Sequence, residues 1–182
     1  ITYSLLHANL MHLTVNVLWL LPFGAAVARR FGALRFYALL AVTAIAGAGA
    51  HLLTHAHELE PMIGASASVS GAMAAAIRFA FQRGSFLSFT RGADLDAAAM
   101  VPAVSLGRAL RNPRVLMFLA IWFGINILFG MDAISSGFGA ESVAWQAHIG
   151  GFLAGLFLFS LFDPIPKAGR DEHQVADTPD RH

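Results

Sequence analysis

The chain has 182 residues, of which 57% are apolar and only 13% are charged, whereas ~25% of the residues of an average soluble domain are charged. Eight of its 23 charged residues lie in the last twenty positions, which leaves 15 to solvate the first 162 residues. So few charged residues in so apolar a sequence exclude a soluble globular enzyme, a disordered chain and a nucleic-acid-binding protein with a broad basic face. The absence of cysteine excludes disulfides, thiolate metal sites and cysteine nucleophiles.

Five apolar stretches are long enough, or nearly so, to cross a bilayer as helices. A hydrocarbon core about 30 Å thick needs ~20 helical residues. The five candidate spans, in chain order, cover about residues 10–27, 34–53, 63–81, 115–131 and 145–162. They are rich in Ala, Gly and Ser, which favour close helix packing in lipid. We therefore predict an all-α, polytopic membrane helix bundle at residues 1–162 and a polar, disordered tail at 163–182.

The basic residues fall on one side of this predicted topology. All twelve Lys and Arg residues lie between the first and second spans, between the third and fourth spans, in the tail, or at Arg78 near the end of the third span. Because Lys and Arg favour the cytoplasmic side of a membrane, we expect a cytoplasmic C-terminus and Ile1 outside. The Ala- and Arg-rich composition favours a bacterial protein, and hence the inner membrane.

Uncharged polar residues inside the spans are the candidates for function, because placing them in lipid is costly. His12 and Asn16 share one face of the first span, the cluster Ser66, Ser68 and Ser70 lies at the start of the third span, and His148 lies at the start of the fifth. The topology brings two His, one Asn and the Ser cluster to the same depth, just below the outer surface. A neutral His can activate a serine nucleophile, and amide, imidazole and backbone N–H groups can stabilise an oxyanion. No carboxylate lies in these spans, so the sequence predicts a Ser–His dyad.

The same polar residues also allow purely structural interpretations. A serine in a membrane helix commonly donates to a carbonyl of its own helix, and an intramembrane His or Asn often bonds a neighbouring helix. His51, His55 and His57 raise the alternative of a metal transporter or metalloprotease. They lie in an outer loop beside acidic residues, and no His-Glu-x-x-His motif occurs, so this alternative is disfavoured. The Gly-x-x-x-Gly spacing of Gly151 and Gly155 predicts helix packing.

Three sequence blocks carry a resemblance to a known family. The blocks are HANLMHLTVN at 7–16, GASASVSG at 64–71 and AHIGGFLAG at 147–155. In that order they resemble the His-x4-His-x3-Asn block, the Gly-x-Ser-Gly motif and the Ala-His-x2-Gly-x3-Gly signature of rhomboid intramembrane serine proteases. The resemblance covers about residues 1–162.

The resemblance implies a nucleophile at Ser66 and a general base and acid at His148. It also implies that His12 and Asn16 help to form the oxyanion hole and that His7 is structural. The expected substrates are transmembrane proteins, cleaved in or next to their membrane segments, and neither a metal nor a cofactor is implied. The alternative is an inactive rhomboid-like protein that binds membrane clients, although such proteins usually lose the serine or histidine that this chain retains.

Three features depart from the family pattern. Ala67 replaces the glycine that normally follows the nucleophile, and alanine disfavours a positive φ. Ser70 stands where many relatives have an aromatic residue stacked on the catalytic histidine, which leaves the ring orientation to other contacts. The family core has six helices and the sequence predicts five of them, so we expect the family's first helix to precede Ile1.

Overall fold

A computed structural model of the chain describes residues 1–57, 61–82, 94–130 and 144–165. Within these ranges the chain forms helices and no strand, which confirms the predicted all-α class. The predicted tail beyond residue 165 lies outside the described residues, as do parts of the predicted connections between spans. A short 3₁₀ helix, Thr2–Leu5, precedes the first long helix.

The first two predicted spans are two arms of one element, α1 (Leu10–Thr54). Asn9 caps its start by accepting a hydrogen bond from the His12 N–H. Gly32 interrupts the helix with φ 74° and ψ 166°, a backbone conformation that glycine adopts readily. The chain folds back at this point, so a Cβ on Gly24 in the first arm (10–31) would lie 3.5 Å from Phe36 in the second arm (33–54).

Helix α2 (Ser66–Ala76) lies at the centre of the bundle, and all its residues after Ser66 are buried. It is shorter than the predicted third span, because the regular helix begins at Ser66 and gives way to irregular helical turns after Ala76. Its apolar and small side chains pack against both α1 and the last helix of the chain. The start of α2 is thereby held between the two longest apolar helices.

Four further helices complete the described part of the chain. Two are short, α3 (Leu95–Ala99) and α4 (Leu106–Ala109), and two are long, α5 (Pro113–Gly130) and α6 (Trp145–Phe162). By length and composition, α1 and α6 could each cross a membrane, and α5 contains a shorter apolar stretch.

Backbone-to-backbone packing joins α2 to α6. A methyl group on Gly151 would overlap the Ala67 carbonyl oxygen, and one on Gly155 would overlap the carbonyl oxygen of Gly71. Four residues later in α6, from Gly151 to Gly155, the contact has also moved four residues later in α2, from Ala67 to Gly71. The two helices therefore run parallel where they cross. Gly151 and Gly155 therefore serve helix packing, as their spacing predicts.

A buried ion pair lies at the end of the bundle remote from Ser66. Arg30, whose side chain is fully buried, donates from Nε and Nη2 to the two carboxylate oxygens of Asp163 at 2.9 Å each. Its Nη1 donates to the carbonyl oxygens of Ala99 and Val101 at 2.8 and 2.7 Å, and its guanidinium lies 4.6 Å from the Phe79 ring centroid. Arg30 was expected in a connection between spans, yet it anchors the first arm of α1 to the segment after α6.

Candidate active site

The Ser66 hydroxyl and the His12 ring both lie close to one glycine. A Cβ on Gly64 would be 2.7 Å from His12 Nε2 and 3.7 Å from Ser66 Oγ. Gly64 has φ 114°, and its N–H donates to the Tyr3 carbonyl oxygen at 3.1 Å. The structure thus brings together two of the four predicted site residues, Ser66 and His12.

Ser66 is the first residue of α2, and no side chain caps this helix. The N-cap residue is Ala65, which has no side-chain acceptor. The first N–H groups of a helix have no partner within the helix, and the helix dipole adds positive potential at the same place. Donors suited to a developing negative charge are therefore next to the Ser66 hydroxyl.

The neighbouring serines of α2 make structural hydrogen bonds. Ser68 Oγ donates to the Leu40 carbonyl oxygen in the second arm of α1 at 2.9 Å. Ser70 Oγ donates to the Ser66 carbonyl oxygen at 2.7 Å, which is the bond to the preceding turn expected of serine in a helix. Ser70 is buried beside the predicted nucleophile and does not supply an aromatic ring.

The starts of α2 and α6 meet at Gly47 in the second arm of α1. A methyl group on Gly47 would overlap the Ala67 side chain and would lie 2.8 Å from the Ala147 carbonyl oxygen. Ser66 directly precedes Ala67, and His148 directly follows Ala147. Ala67 lies within α2 and does not have a positive φ, so alanine is compatible with the backbone at this position. Its Cβ has room because Gly47 has no side chain.

His148 is held by Asn126, which the sequence analysis did not select. His148 Nδ1 lies 2.5 Å from Asn126 Oδ1, and Asn126 Nδ2 donates to the Trp122 carbonyl oxygen at 2.8 Å. Asn126 is only 6% exposed. The signal in the sequence was an amide within the apolar run 115–131, since a polar residue there needs a partner.

The His12 ring also has partners on its own side of the site. The Ala8 N–H donates to His12 Nδ1 at 3.5 Å, and the His7 ring packs edge-on against it with centroids 5.2 Å apart. His12 is thus placed beside Ser66 through Gly64, while His148 is brought toward Ser66 through the contacts of Gly47 with Ala67 and Ala147.

Asn16 is buried one turn after His12, and its amide donates to the His12 carbonyl oxygen at 2.9 Å. This bond lies within α1 and does not reach a neighbouring helix. The described contacts of Asn16 do not join it to Ser66, so its part in an oxyanion hole stays a prediction.

Comparison with protein families gives one match. A family model described as the Rhomboid domain matches residues 1–163, a range that contains every site residue discussed above. No curated protein sequence matches the chain at a significant level.

Proposed function

Because the chain belongs to the rhomboid family, whose members are typically intramembrane serine proteases, we propose that it is a serine endopeptidase acting within the membrane. It hydrolyses peptide bonds in or next to the transmembrane segments of membrane proteins. Ser66 is the nucleophile, and His148 is the general base and then the general acid.

The proposed reaction has two steps that share one base. Ser66 Oγ attacks the substrate carbonyl carbon while His148 Nε2 takes the hydroxyl proton, and the tetrahedral intermediate collapses as His148 protonates the leaving nitrogen. Water then attacks the acyl-enzyme with His148 again accepting a proton. The acid product leaves and the Ser66 hydroxyl is restored.

The oxyanion would be stabilised by donors from two helices. The Ser66 N–H lies at the uncapped start of α2, where the helix dipole favours negative charge. The Ala8 N–H occupies His12 Nδ1, so a neutral His12 carries its proton on Nε2, the ring atom that faces Gly64. Asn16 is the third proposed contributor, through its amide.

The observation that carries the proposal is the meeting of α2 and α6 at Gly47. The contacts of Gly47 with Ala67 and Ala147 bring the chain neighbours Ser66 and His148 to the same end of parallel helices. Since the crossing is made through backbone atoms, this arrangement does not depend on flexible side chains. A dyad requires the serine hydroxyl to come within hydrogen-bond reach of the histidine, and the crossing of these two helix starts supports such an approach.

The chain is an integral membrane protein, and we further propose how it is oriented. The proposed orientation places the site toward the outer surface and the C-terminus in the cytoplasm, within the inner membrane of a bacterium. Arg29 and Arg30 lie at the end of the first arm of α1, and Arg78 lies just after the end of α2, both remote from Ser66, in agreement with the expected charge asymmetry.

Cleavage of a tagged single-span membrane protein by the full-length protein in proteoliposomes tests the proposal. We expect Ser66→Ala and His148→Ala to lose cleavage, with a decrease of at least about 1000-fold, because the covalent step needs both groups. Ser68→Ala is the matched control: it removes a serine two residues from the nucleophile whose hydroxyl bonds Leu40, and it should retain cleavage.

The same experiment distinguishes the proposed protease from the alternative, an inactive protein that binds membrane clients. Binding of the tagged substrate by the wild type without cleavage, and without covalent labelling of Ser66 by a fluorophosphonate, would establish that alternative. Cleavage that persists in Ser66→Ala would instead refute the assignment of the nucleophile.

A further inference from the structure

We infer that Asn126 is a positioning residue for His148: its side-chain oxygen fixes the tautomer and the orientation of the imidazole. The inference deepens the proposed function and rests on it for its catalytic meaning. His148 Nδ1 lies 2.5 Å from Asn126 Oδ1, and this contact joins α6 to α5.

The orientation of the Asn126 amide follows from its second contact. Its Nδ2 donates to the Trp122 carbonyl oxygen at 2.8 Å, one turn earlier in α5. A carbonyl oxygen can only accept, so the NH₂ group of Asn126 must face Trp122 and the amide oxygen must face His148. Burial of Asn126 at 6% exposure makes an unpaired amide costly and so holds this arrangement.

The tautomer of His148 follows in turn. An amide oxygen cannot donate, so the Nδ1 atom that contacts it must carry a hydrogen. A neutral imidazole with its proton on Nδ1 has its lone pair on Nε2. That lone pair is what a general base needs to take the Ser66 proton, so Asn126 selects the tautomer able to act.

An amide suits this position better than a carboxylate would. In a serine triad a buried carboxylate holds the base and stabilises the imidazolium, but an ionised carboxylate is expensive to bury in an apolar bundle. Asn126 supplies the acceptor without a charge. It also takes over the ring orientation that an aromatic residue at position 70 would provide, since Ser70 bonds the Ser66 carbonyl instead.

The test compares Asn126→Leu and Asn126→Asp by the rate of Ser66 labelling with a fluorophosphonate, measured against pH. Leucine has a similar size and no acceptor, so we expect labelling to slow by about 10- to 1000-fold. Aspartate restores the acceptor that faces His148 but cannot donate to the Trp122 carbonyl oxygen as the Asn126 amide does. Labelling should therefore recover only in part, to a rate between those of Asn126→Leu and wild type. The charge of aspartate favours the imidazolium, so the acidic limb of the profile should move to higher pH. The limb also reflects His12, the titratable group whose Nε2 lies beside Gly64, next to Ser66.

Thr43→Val is the matched control for loss of a buried polar contact. The Thr43 hydroxyl donates to the Leu39 carbonyl oxygen at 2.8 Å, as Asn126 does to its own helix, but it does not touch His148. Thr43→Val should label at the wild-type rate. Equal labelling and equal pH profiles for wild type and Asn126→Leu would overturn the inference, as would equal losses in Asn126→Leu and Asn126→Asp.

Nitrogen NMR of His148 provides a readout that does not need activity. In ¹⁵N-histidine-labelled protein, with His148→Gln used for assignment, we expect the hydrogen on Nδ1 in wild type and on Nε2, or on both atoms in exchange, in Asn126→Leu. A hydrogen on Nε2 in wild type refutes the inference. Wild-type protein that has the Nδ1 tautomer but is not labelled at Ser66 refutes the proposed function alone.

Discussion

Gly64 is the residue on which the approach of His12 to Ser66 depends. Its φ of 114° lies in the region that side chains disfavour, and its N–H is tied to the Tyr3 carbonyl oxygen. Tyr3 is itself fixed by a hydrogen bond from its hydroxyl to the Ala44 carbonyl oxygen at 2.7 Å. The segment before α2 is thus held in one conformation, with His12 Nε2 where a side chain would otherwise be.

Gly64→Ala should therefore perturb the site in two ways. The substitution strains the backbone by about 1–3 kcal/mol, and the new methyl group displaces the His12 ring. We expect Ser66 labelling by a fluorophosphonate to decrease at least ~10-fold and the melting temperature in detergent to decrease.

Gly49→Ala is the matched control for this experiment. Gly49 lies within α1, and a Cβ there meets nothing within 4 Å. Alanine in a helix interior should raise stability by up to about 1 kcal/mol and leave labelling unchanged. Wild-type labelling of Gly64→Ala would show that the position of His12 is not needed for reactivity.

At the scale of the element, α2 leaves its start without a cap, which is an unfavourable choice for helix stability. Most helices begin after Ser, Thr, Asp or Asn, and replacing such a cap by alanine costs ~1 kcal/mol. Among the described α-helices, side chains cap α1, α3 and α4, from Asn9, Asp94 and Ser105, whereas α6, which carries His148, also begins without a side-chain cap. The missing cap at Ala65 fits a helix end whose N–H groups serve a reaction.

Ala65→Ser should raise stability while lowering reactivity. The new hydroxyl accepts from an N–H group in the first turn of α2 only if residue 65 leaves its helical φ of −78° and ψ of −1° for the more extended conformation of the other caps. The gain in the free energy of unfolding should therefore be smaller than the ~1 kcal/mol of a preformed cap. The hydroxyl also offsets part of the positive potential beside Ser66, so labelling should slow. Thermal unfolding and the labelling rate, measured on the same samples, provide the two quantities.

Ser105→Ala is the control with the opposite expectation. It removes the contact of Ser105 Oγ with the Arg108 N–H at 3.4 Å, remote from Ser66, so stability should decrease with no change in labelling. Faster labelling of Ala65→Ser than of wild type would contradict the suggested role of the uncapped helix end.

At the scale of the whole molecule, the bundle has two differently built ends. The end with Ser66, His12 and His148 is joined by small residues and neutral hydrogen bonds. The other end is joined by the ion pair of Arg30 with Asp163, whose side chains are 0% and 9% exposed. Such a pair is costly to break, because the remaining charge is left buried without its partner.

Asp163→Asn should therefore destabilise the protein by about 3–5 kcal/mol, measured by denaturant or thermal unfolding. Asp96→Asn is the matched control, because Asp96 pairs with Arg29 at 3.3 Å and its side chain is 83% exposed. An exposed pair contributes less than about 1 kcal/mol. Equal effects of the two substitutions would contradict the structural role given to the buried pair.

The sequence predicted the family and the helical class correctly because the signals for both are local. The spacing of residues within short motifs indicates His12, Ser66 and His148, and the length of each apolar stretch predicts a helix. The partner of His148 was not predicted, because an amide within an apolar run does not show which side chain it bonds, and Asn126 is separated from His148 by 22 positions. The pairing of Arg30 with Asp163 spans 133 positions, and no periodicity in a single sequence reveals such a contact.

Helix lengths were predicted less well than helix identity. The third span was expected over 63–81, but the regular helix is Ser66–Ala76, since hydropathy averages over a window and does not detect where backbone geometry changes. A polar connection was expected between the first two spans. Gly32 replaces it because one residue with a positive φ is enough to redirect the chain.

The break at the single residue Gly32 determines which face of the second arm of α1 is turned toward α2 and α6. Each residue turns a helix by about 100°, so one residue inserted into that arm just after Gly32 would rotate its remaining surface by more than a quarter turn. Thr43, Gly47 and Ala50 would then no longer face α2 and α6. Variation in length is thus excluded between these arms, and evolution can alter this hairpin by substitution far more readily than by insertion.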